Sequence, residues 1–500
     1  MSVALSLDDW RSQARGLSFR NQAFIDGKYV DAASGETFDS VNPATGEVIT
    51  KVAHCDAEDV NRAVKIARQA FEDGRWSHMA PKKRKKILLK FAELIEKHAS
   101  ELALLETLDM GKPIRDASSI DIPASINSIE WYAEASDKVY DEIAPTDPSA
   151  VALITREPLG VVAAVVPWNF PLYMATWKIG PVLATGNSLI VKPAEQSPLS
   201  AVRVAELAVE AGIPDGVFNV LPGFGETAGQ ALGRHMDVDC VTFTGSIETG
   251  KLFLKYAGES NMKRVSCECG GKTPNIIMSD CPDLDTAATA AAWGIFFNQG
   301  EMCNAGSRLL VEDKIKDRVL DKVAEFAETM QPGDPLDPAT KMGAIVDKTQ
   351  TEKILGYIES GKAEGAELKF GGNQVRKDTG GLYIEPTVFD RVDNKMKIAQ
   401  EEIFGPVLAT ITFKDSEDAV RVSNDSIYGL AAAVWTSDIT KAHKAARALR
   451  AGTVWINCFD HGDITVPFGG YKESGFGRDK SLHAMEKYVQ LKTTWINLAN

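Results

Sequence analysis

Val161-Val162-Ala163-Ala164-Val165-Val166-Pro167-Trp168-Asn169-Phe170-Pro171 opens on a continuous apolar run and stops at a proline and an asparagine. A short apolar run closed by turn formers reads as a strand buried on both faces. The pattern then repeats. Ser188–Val191, Val217–Leu221 and Val241–Phe243 are further short apolar runs. Between them lie stretches such as Pro198–Ala211, whose apolar residues recur every three or four positions. Buried strands alternating with helices predict crossover units, hence an α/β fold with a parallel doubly wound sheet.

Outward from this stretch, a second alternation begins at Arg308–Val311. It passes through helical segments near Ile315–Met330 and Thr351–Ala363 to strands at Leu408–Phe413, Ala431–Trp435 and Thr453–Ile456. Two α/β domains in series fit a chain of 500 residues, which exceeds what one hydrophobic core supports. Upstream, to about Asp116, a strand-like opening at Gln22–Val30 mixes with helical stretches. Ala150–Thr155 interrupts the first domain and Lys487–Ile496 closes the chain, and both read as strands. Strands at such extremities need edges to pair with, and another subunit could supply them, so an oligomer is expected.

Composition narrows the function. A net charge of −14 argues against a nucleic-acid partner. The basic run Lys82-Lys83-Arg84-Lys85-Lys86 follows Pro81 and leads into an amphipathic pattern, so it reads as a solvated helix face rather than a binding patch. The apolar runs are too short to span a bilayer, and the opening Met1-Ser2-Val3-Ala4-Leu5 lacks the basic start of a secretory signal. Seven thinly spread cysteines fit free thiols in a reducing cytoplasm. Cys267 and Cys269 have no second cysteine or histidine pair with which to build a metal site, and no metal is expected.

Several segments carry chemistry. Gly223-Phe224-Gly225-Glu226-Thr227-Ala228 has the GxGxxA spacing of a dinucleotide fingerprint, which two glycines after any strand also produce. Phe243-Thr244-Gly245-Ser246-Ile247-Glu248-Thr249-Gly250 leaves a strand and enters a helix. There Gly245 permits close backbone approach, and Ser246 with the free amides can receive a pyrophosphate oxygen. Cys303, in Gly300-Glu301-Met302-Cys303-Asn304, sits between a glycine turn and a strand, and reads either as a small buried hydrophobe or as a nucleophile. Glu268, in Ser266-Cys267-Glu268-Cys269-Gly270-Gly271-Lys272, points away from both cysteines in an extended segment, either tied down or tuned as a base. Asn169 at a strand's carboxyl end is a turn former or an oxyanion donor.

Together these residues resemble the aldehyde dehydrogenase superfamily over nearly the whole chain. The carrying motifs are Pro167–Pro171, Lys192-Pro193-Ala194-Glu195, Phe243–Ser246, Glu268 with Gly270-Gly271-Lys272, Gly300 with Cys303, Glu401-Glu402-Ile403-Phe404-Gly405-Pro406, and Pro467-Phe468-Gly469-Gly470. The resemblance implies an NAD-binding domain over 1–140 and 160–268, a catalytic domain over 269–480, and a β oligomerisation arm from 141–159 and 485–500. It implies that Cys303 is the nucleophile, with Asn169 and the Cys303 N–H as oxyanion donors. Glu268 activates water, and Lys178 passes protons near it. NAD is the implied cofactor, held by Trp168, Lys192, Glu195, Gly225, Gly245, Ser246, Gly250, Glu402 and Phe404. Glu195, placed to bond ribose hydroxyls, would repel a 2′-phosphate. Three departures from the usual pattern stand out: Cys267 and Cys269 flank the catalytic glutamate, Glu301 replaces a frequent glutamine, and Asp479 stands where a glutamate often completes the path through Lys178.

Within the superfamily, Leu102–Ile114, Ser260–Val265, Gly462–Lys472 and Gly477–Ala484 most resemble γ-glutamyl-γ-aminobutyraldehyde and 4-guanidinobutyraldehyde dehydrogenases of polyamine breakdown. Phe170, Trp177, Phe459 and Phe468 would then form an aromatic tunnel, and Asp460 or Asp463 could meet a cationic tail. The alternatives are a core role for the aromatics with solvated aspartates, a broad aliphatic or betaine-aldehyde oxidiser, and a non-catalytic relative. Retention of Cys303, Glu268, Asn169 and Glu402 together speaks against the last.

Overall fold

A computed structural model describes residues 5–499, so the start of the chain read for a secretory signal and the last residue of the expected arm lie outside the described residues. The stretch from Val161 forms the strand β1 (Val161–Val165), followed by β2 (Ser188–Lys192), β3 (Phe218–Val220), β4 (Cys240–Gly245) and β5 (Arg264–Cys269). These strands lie parallel in the order β3-β2-β1-β4-β5. Antiparallel edges are added by Ala23–Ile25 and Lys28–Val30 on one side and by Gly475–Phe476 on the other.

Alternating side chains of β1 serve two cores. Val162 and Ala164 pack with Leu189 and Val191 on one face. Val161, Ala163 and Val165 pack with Ile190 on the other. Burial on both faces is why the run is apolar without alternation.

A second sheet contains β6 (Pro274–Ile277), β7 (Arg308–Glu312), β8 (Thr387–Asp390), β9 (Val407–Phe413), β10 (Ala431–Trp435) and β11 (Thr453–Ile456). Its parallel order is β8-β9-β7-β6-β10-β11, with Glu367–Phe370 antiparallel beside β8. The strand β6 escaped the sequence reading because it follows the Gly270-Gly271 turn at once. Pairing of Gly475–Phe476 with β5 also returns the chain, late in the segment expected to be catalytic, to the edge of the first sheet.

The two terminal strands differ from expectation. Ala150–Pro158 and Val489–Asn497 pair with each other along their whole length, with Glu142–Ala144 completing a three-stranded antiparallel sheet. Their main pairing is thus within one chain, because the register from Val489↔Pro158 to Asn497↔Ala150 satisfies one edge of each. The outer strands still expose Ile143, Leu491 and Trp495. The basic run forms the first turns of the helix Pro81–Lys97, as expected, although Arg84 turns inward and donates to the Ala184 carbonyl at 3.3 Å.

Two buried carboxylates fix the helices that leave β1 and β2. Neither helix Pro171–Ala184 nor helix Leu199–Ala211 has a side-chain cap of its own. Glu106, on the helix Ala99–Met110, instead accepts the Leu172 N–H at 2.6 Å and the Ser200 hydroxyl at 3.2 Å. One turn later, Asp109 accepts the Leu199 N–H at 3.1 Å. One first-turn amide of each helix is thereby satisfied from outside.

Candidate active site

Chain order reverses between β1 and β4, so a crevice opens beyond their carboxyl ends, the usual ligand position of a doubly wound sheet. A cavity of about 440 Å³ occupies that crevice and reaches the loops around the second sheet. Asn169 and Phe170 enter it from the end of β1, Thr244, Gly245 and Ser246 from the end of β4, and Glu268 from β5. Cys303 and Asn304 enter from the loop before β7, and Glu402 and Phe404 from the loop before β9.

The Cys303 loop is held under constraint. Asn298 and Gln299 adopt φ of +48° and +58°, a region that residues with a side chain rarely occupy. Gly300, at φ +74°, passes so close to Gly405 that a Cβ would lie 2.2 Å from its carbonyl oxygen. The loop is tied to β1 by polar contacts. The Asn169 side-chain amide donates to the Glu301 carbonyl at 2.8 Å, and the Asn298 amide donates to the Asn169 carbonyl at 3.1 Å. Asn169 is therefore aimed by one of its two N–H bonds, leaving the other for a ligand.

The Glu301 side chain turns away from the cavity and accepts the Val346 N–H at 3.1 Å. Burial holds this carboxyl well above the ordinary range, which keeps it protonated in a place that glutamine would also suit.

Burial also dominates the chemistry of the reacting pair. It raises Glu268 to about 8 against the opposing charge of Lys178, and neither carboxylate oxygen finds a hydrogen-bond partner of ordinary geometry. Burial raises the Cys303 thiol well above its usual value, and the neighbouring Glu268 carboxylate raises it further. A base near a thiol that does not ionise unaided can take its proton. Lys178 lies behind the cavity, hydrogen-bonded to Asp479, which also pairs with Lys487. The shorter aspartate therefore still reaches Lys178.

Glu402 depends on a glycine. Its carboxylate lies against Gly270, where a Cβ would come within 2.0 Å of a carboxylate oxygen, and it accepts the Gly271 N–H at 3.2 Å. Burial raises it to about 7, with Lys353 opposing. Trp168 and Phe404 meet edge to face at 5.2 Å. Lys192 and Glu195 form a 3.1 Å ion pair at the end of β2, outside the cavity wall, with Lys192 buried and Glu195 partly exposed.

Gly225 borders open space, whereas Gly250 packs its helix onto β5, where a Cβ would meet the Cys269 sulfur at 3.1 Å. Gly250 thus serves close packing. Cys267 and Cys269 face the same side as each other, into the core beneath, as the strand alternation requires.

The aromatic tunnel is formed by a different set from the one expected. Phe170, Trp177 and Phe468 line it, joined by Tyr173, Trp293 and Phe297. Phe459 does not line it. It packs into the second core against Trp455 at 5.0 Å and over Gly294, where a Cβ would clash at 2.6 Å. Of the two aspartates, Asp460 lines the cavity, whereas Asp463 lies in an exposed loop and accepts from Thr465. Lys353 and Lys480 also line the cavity; Lys353 had no motif to announce it, and Lys480 lay within Gly477–Ala484 without a role of its own.

An NAD molecule suits these residues. The helix Ile247–Gly258 starts at the crevice with Ser246 as its cap, so its first amides can meet phosphates. Glu402 and Lys353 can serve ribose hydroxyls. Residues 29–494 match the aldehyde dehydrogenase family. The chain belongs to that family. It is 53% identical to the NADP/NAD-dependent aldehyde dehydrogenase PuuC of Escherichia coli, over 98% of each chain. A crystal structure of an indole-3-acetaldehyde dehydrogenase with NAD⁺ is 59% identical and superposes with a TM-score of 0.98, covering 99% of this chain and 100% of the other. The γ-glutamyl-γ-aminobutyraldehyde dehydrogenase of Burkholderia cenocepacia is 57% identical with the same TM-score and coverage. This aldehyde dehydrogenase is an NAD-dependent oxidoreductase with the α/β fold of its family.

Proposed function

We propose that this aldehyde dehydrogenase oxidises an amino-aldehyde of polyamine catabolism to its acid, with Cys303 as nucleophile. The observation that carries the substrate class is Asp460, a carboxylate on the wall of a mostly aromatic tunnel that also holds Cys303. Burial raises Asp460 to about 6, so it is charged at neutral pH and can meet an ammonium group.

Cys303 gives its proton to Glu268 and attacks the carbonyl carbon, forming a thiohemiacetal. The free Asn169 N–H and the Cys303 backbone N–H receive the oxyanion. Bound NAD supplies the hydride acceptor for the step to the thioester. Glu268 then takes a proton from water, whose oxygen attacks the thioester carbon and releases the acid and the thiol. Lys178 and Asp479 carry the proton onward from Glu268. Lys192 and Glu195 hold the adenosine ribose, while Gly225 and Gly245 admit the cofactor backbone.

The domain division at residue 268–269, a cytoplasmic enzyme, and a homo-oligomer joined through the exposed arm complete the proposal. A simple aliphatic aldehyde also suits the aromatic tunnel. Steady-state kcat/KM with NAD for ammonium-tailed and neutral aldehydes of equal length separates the two. The amino-aldehyde reading requires the charged substrate to be favoured, and Asp460→Asn to remove the preference.

A further inference from the structure

The turn after the helix Ala99–Met110 sends a lysine beneath the tunnel wall. Gly111 ends that helix in left-handed backbone, at φ +83°, and a Cβ there would lie 2.8 Å from the Ala344 carbonyl oxygen. Lys112 follows at once and is wholly buried. Its ammonium forms an ion pair with Asp121, also wholly buried, and stands 3.7 Å from the centre of the Phe170 ring.

Asp121 closes a π-helical turn, Ala117–Asp121, that leads into the helix Ile122–Ala135. Such wide turns recur at functional sites. Ile120 and Ala124, on either side of Asp121 in the chain, line the cavity, as Phe170 does. One ammonium therefore ties two walls of the tunnel together, through a carboxylate on one and an aromatic face on the other. Burying an ion pair costs more than its attraction returns unless further contacts supplement it. The negative face of the Phe170 ring is such a contact, and it acts most strongly where water is excluded.

The neighbours of Phe170 are held as well. Asn169 before it donates to the Glu301 carbonyl in the Cys303 loop, and Leu172 after it donates its N–H to Glu106. The backbone is thus gripped on both sides, and Lys112 engages the ring between. We infer that Lys112 is a positioning residue for aldehyde oxidation, fixing the Phe170 ring against the tunnel by a cation–π contact and so setting the aldehyde's approach to Cys303. This rests on the proposal that the aldehyde reaches Cys303 through the tunnel, and on no particular aldehyde.

The test replaces Phe170 with trifluorophenylalanine, which keeps the shape of the ring and removes its negative face. KM for NAD and for the aldehyde oxidised fastest is measured with and without the fluorinated ring, in the native enzyme and in Lys112→Met/Asp121→Asn, which removes both buried charges together. With the native lysine, fluorination should raise the aldehyde KM about tenfold, the scale of one desolvated cation–ring contact, and leave the NAD KM within about twofold. Without the two charges, the rise should shrink to about twofold or less. An unchanged aldehyde KM in the fluorinated enzyme overturns the inference. So does an equal rise with and without the charges, because the effect then lies on the tunnel face of the ring. A parallel rise in the NAD KM overturns it too, since Lys112 would then be a general support of the fold. If Lys112→Met/Asp121→Asn does not fold, the fluorinated enzyme decides alone, because its ion pair is intact. The tunnel premise fails separately, if Ala124→Trp, which narrows the tunnel, leaves the aldehyde KM unchanged.

Discussion

The Glu268 carboxyl and the Cys303 thiol share one buried site, and each is a weaker acid there than in water. Burial is the main cause for both, and their proximity adds to it on the thiol. Burial thus disfavours the charged form of both groups.

That arrangement sets the pH dependence. Glu268 has a raised value, so its ionised form is scarce well below about 8 and gains as pH rises through about 8. Steady-state kcat is expected to rise with pH around that midpoint. In Glu268→Gln the rise disappears and kcat falls roughly a hundredfold to ten-thousandfold. Stopped-flow absorbance of NADH should show the first turnover slowed less than the steady state. A Glu268→Gln enzyme with an unchanged pH profile would remove Glu268 from the role of base.

Lys178 and Asp479 act on Glu268 in opposite senses, the lysine lowering its value and the aspartate raising it. Lys178→Met should move the rising limb to higher pH, and Asp479→Asn to lower pH. The second variant also leaves Lys178 and Lys487 without their shared partner, at a stability cost of about 3–5 kcal/mol. The midpoint of the pH–rate profile is the readout, because a purely structural defect would lower rates without moving it.

Glu195 bears on cofactor choice through its pair with Lys192. The carboxylate would face the phosphate of NADP, while the buried lysine offsets part of that repulsion. A preference for NAD of roughly tenfold in kcat/KM is expected from one partly compensated charge contact. Glu195→Gln should narrow the gap by improving use of NADP. Equal use of both cofactors by the wild type would contradict this.

Asp109 supports the fold around the cofactor crevice. Asp109→Ala leaves the Leu199 N–H without its acceptor and should cost about 1–3 kcal/mol in denaturant melts. Asp109→Asn keeps an acceptor and should lose less. Burial raises the Asp109 value in the folded state, so its contribution is fully present below the unfolded value and is lost as pH rises through the folded one. The stability of Asp109→Asn relative to wild type should therefore improve with rising pH.

The sheets were legible because buried parallel strands such as Val161–Val165 are written as apolar runs between turn formers. The reacting residues were legible because Glu268, Cys303 and Asn169 each stand at a strand end or glycine turn. Other features depend on packing that no local pattern encodes. Phe459 looks like any tunnel aromatic until Gly294 and Gly306 open a place for it in the core. Lys480 lies inside the quoted stretch Gly477–Ala484, but only the left-handed turn at 480 and 481 brings it to the tunnel. Glu106 and Asp109 accept from helix-starting amides 66 and 90 residues later, a relation set by tertiary contact alone.

The central claim is that Cys303 carries the acyl group and Glu268 releases it. Glu268→Gln mixed with aldehyde and NAD, quenched in acid and digested, should yield a peptide containing Cys303 heavier by the acyl group of the substrate. The adduct should be absent without NAD and absent in a Glu268→Gln/Cys303→Ala double variant. An acyl group found on Cys267, Cys269 or Cys458, or turnover by Cys303→Ala near the wild-type rate, would contradict the account.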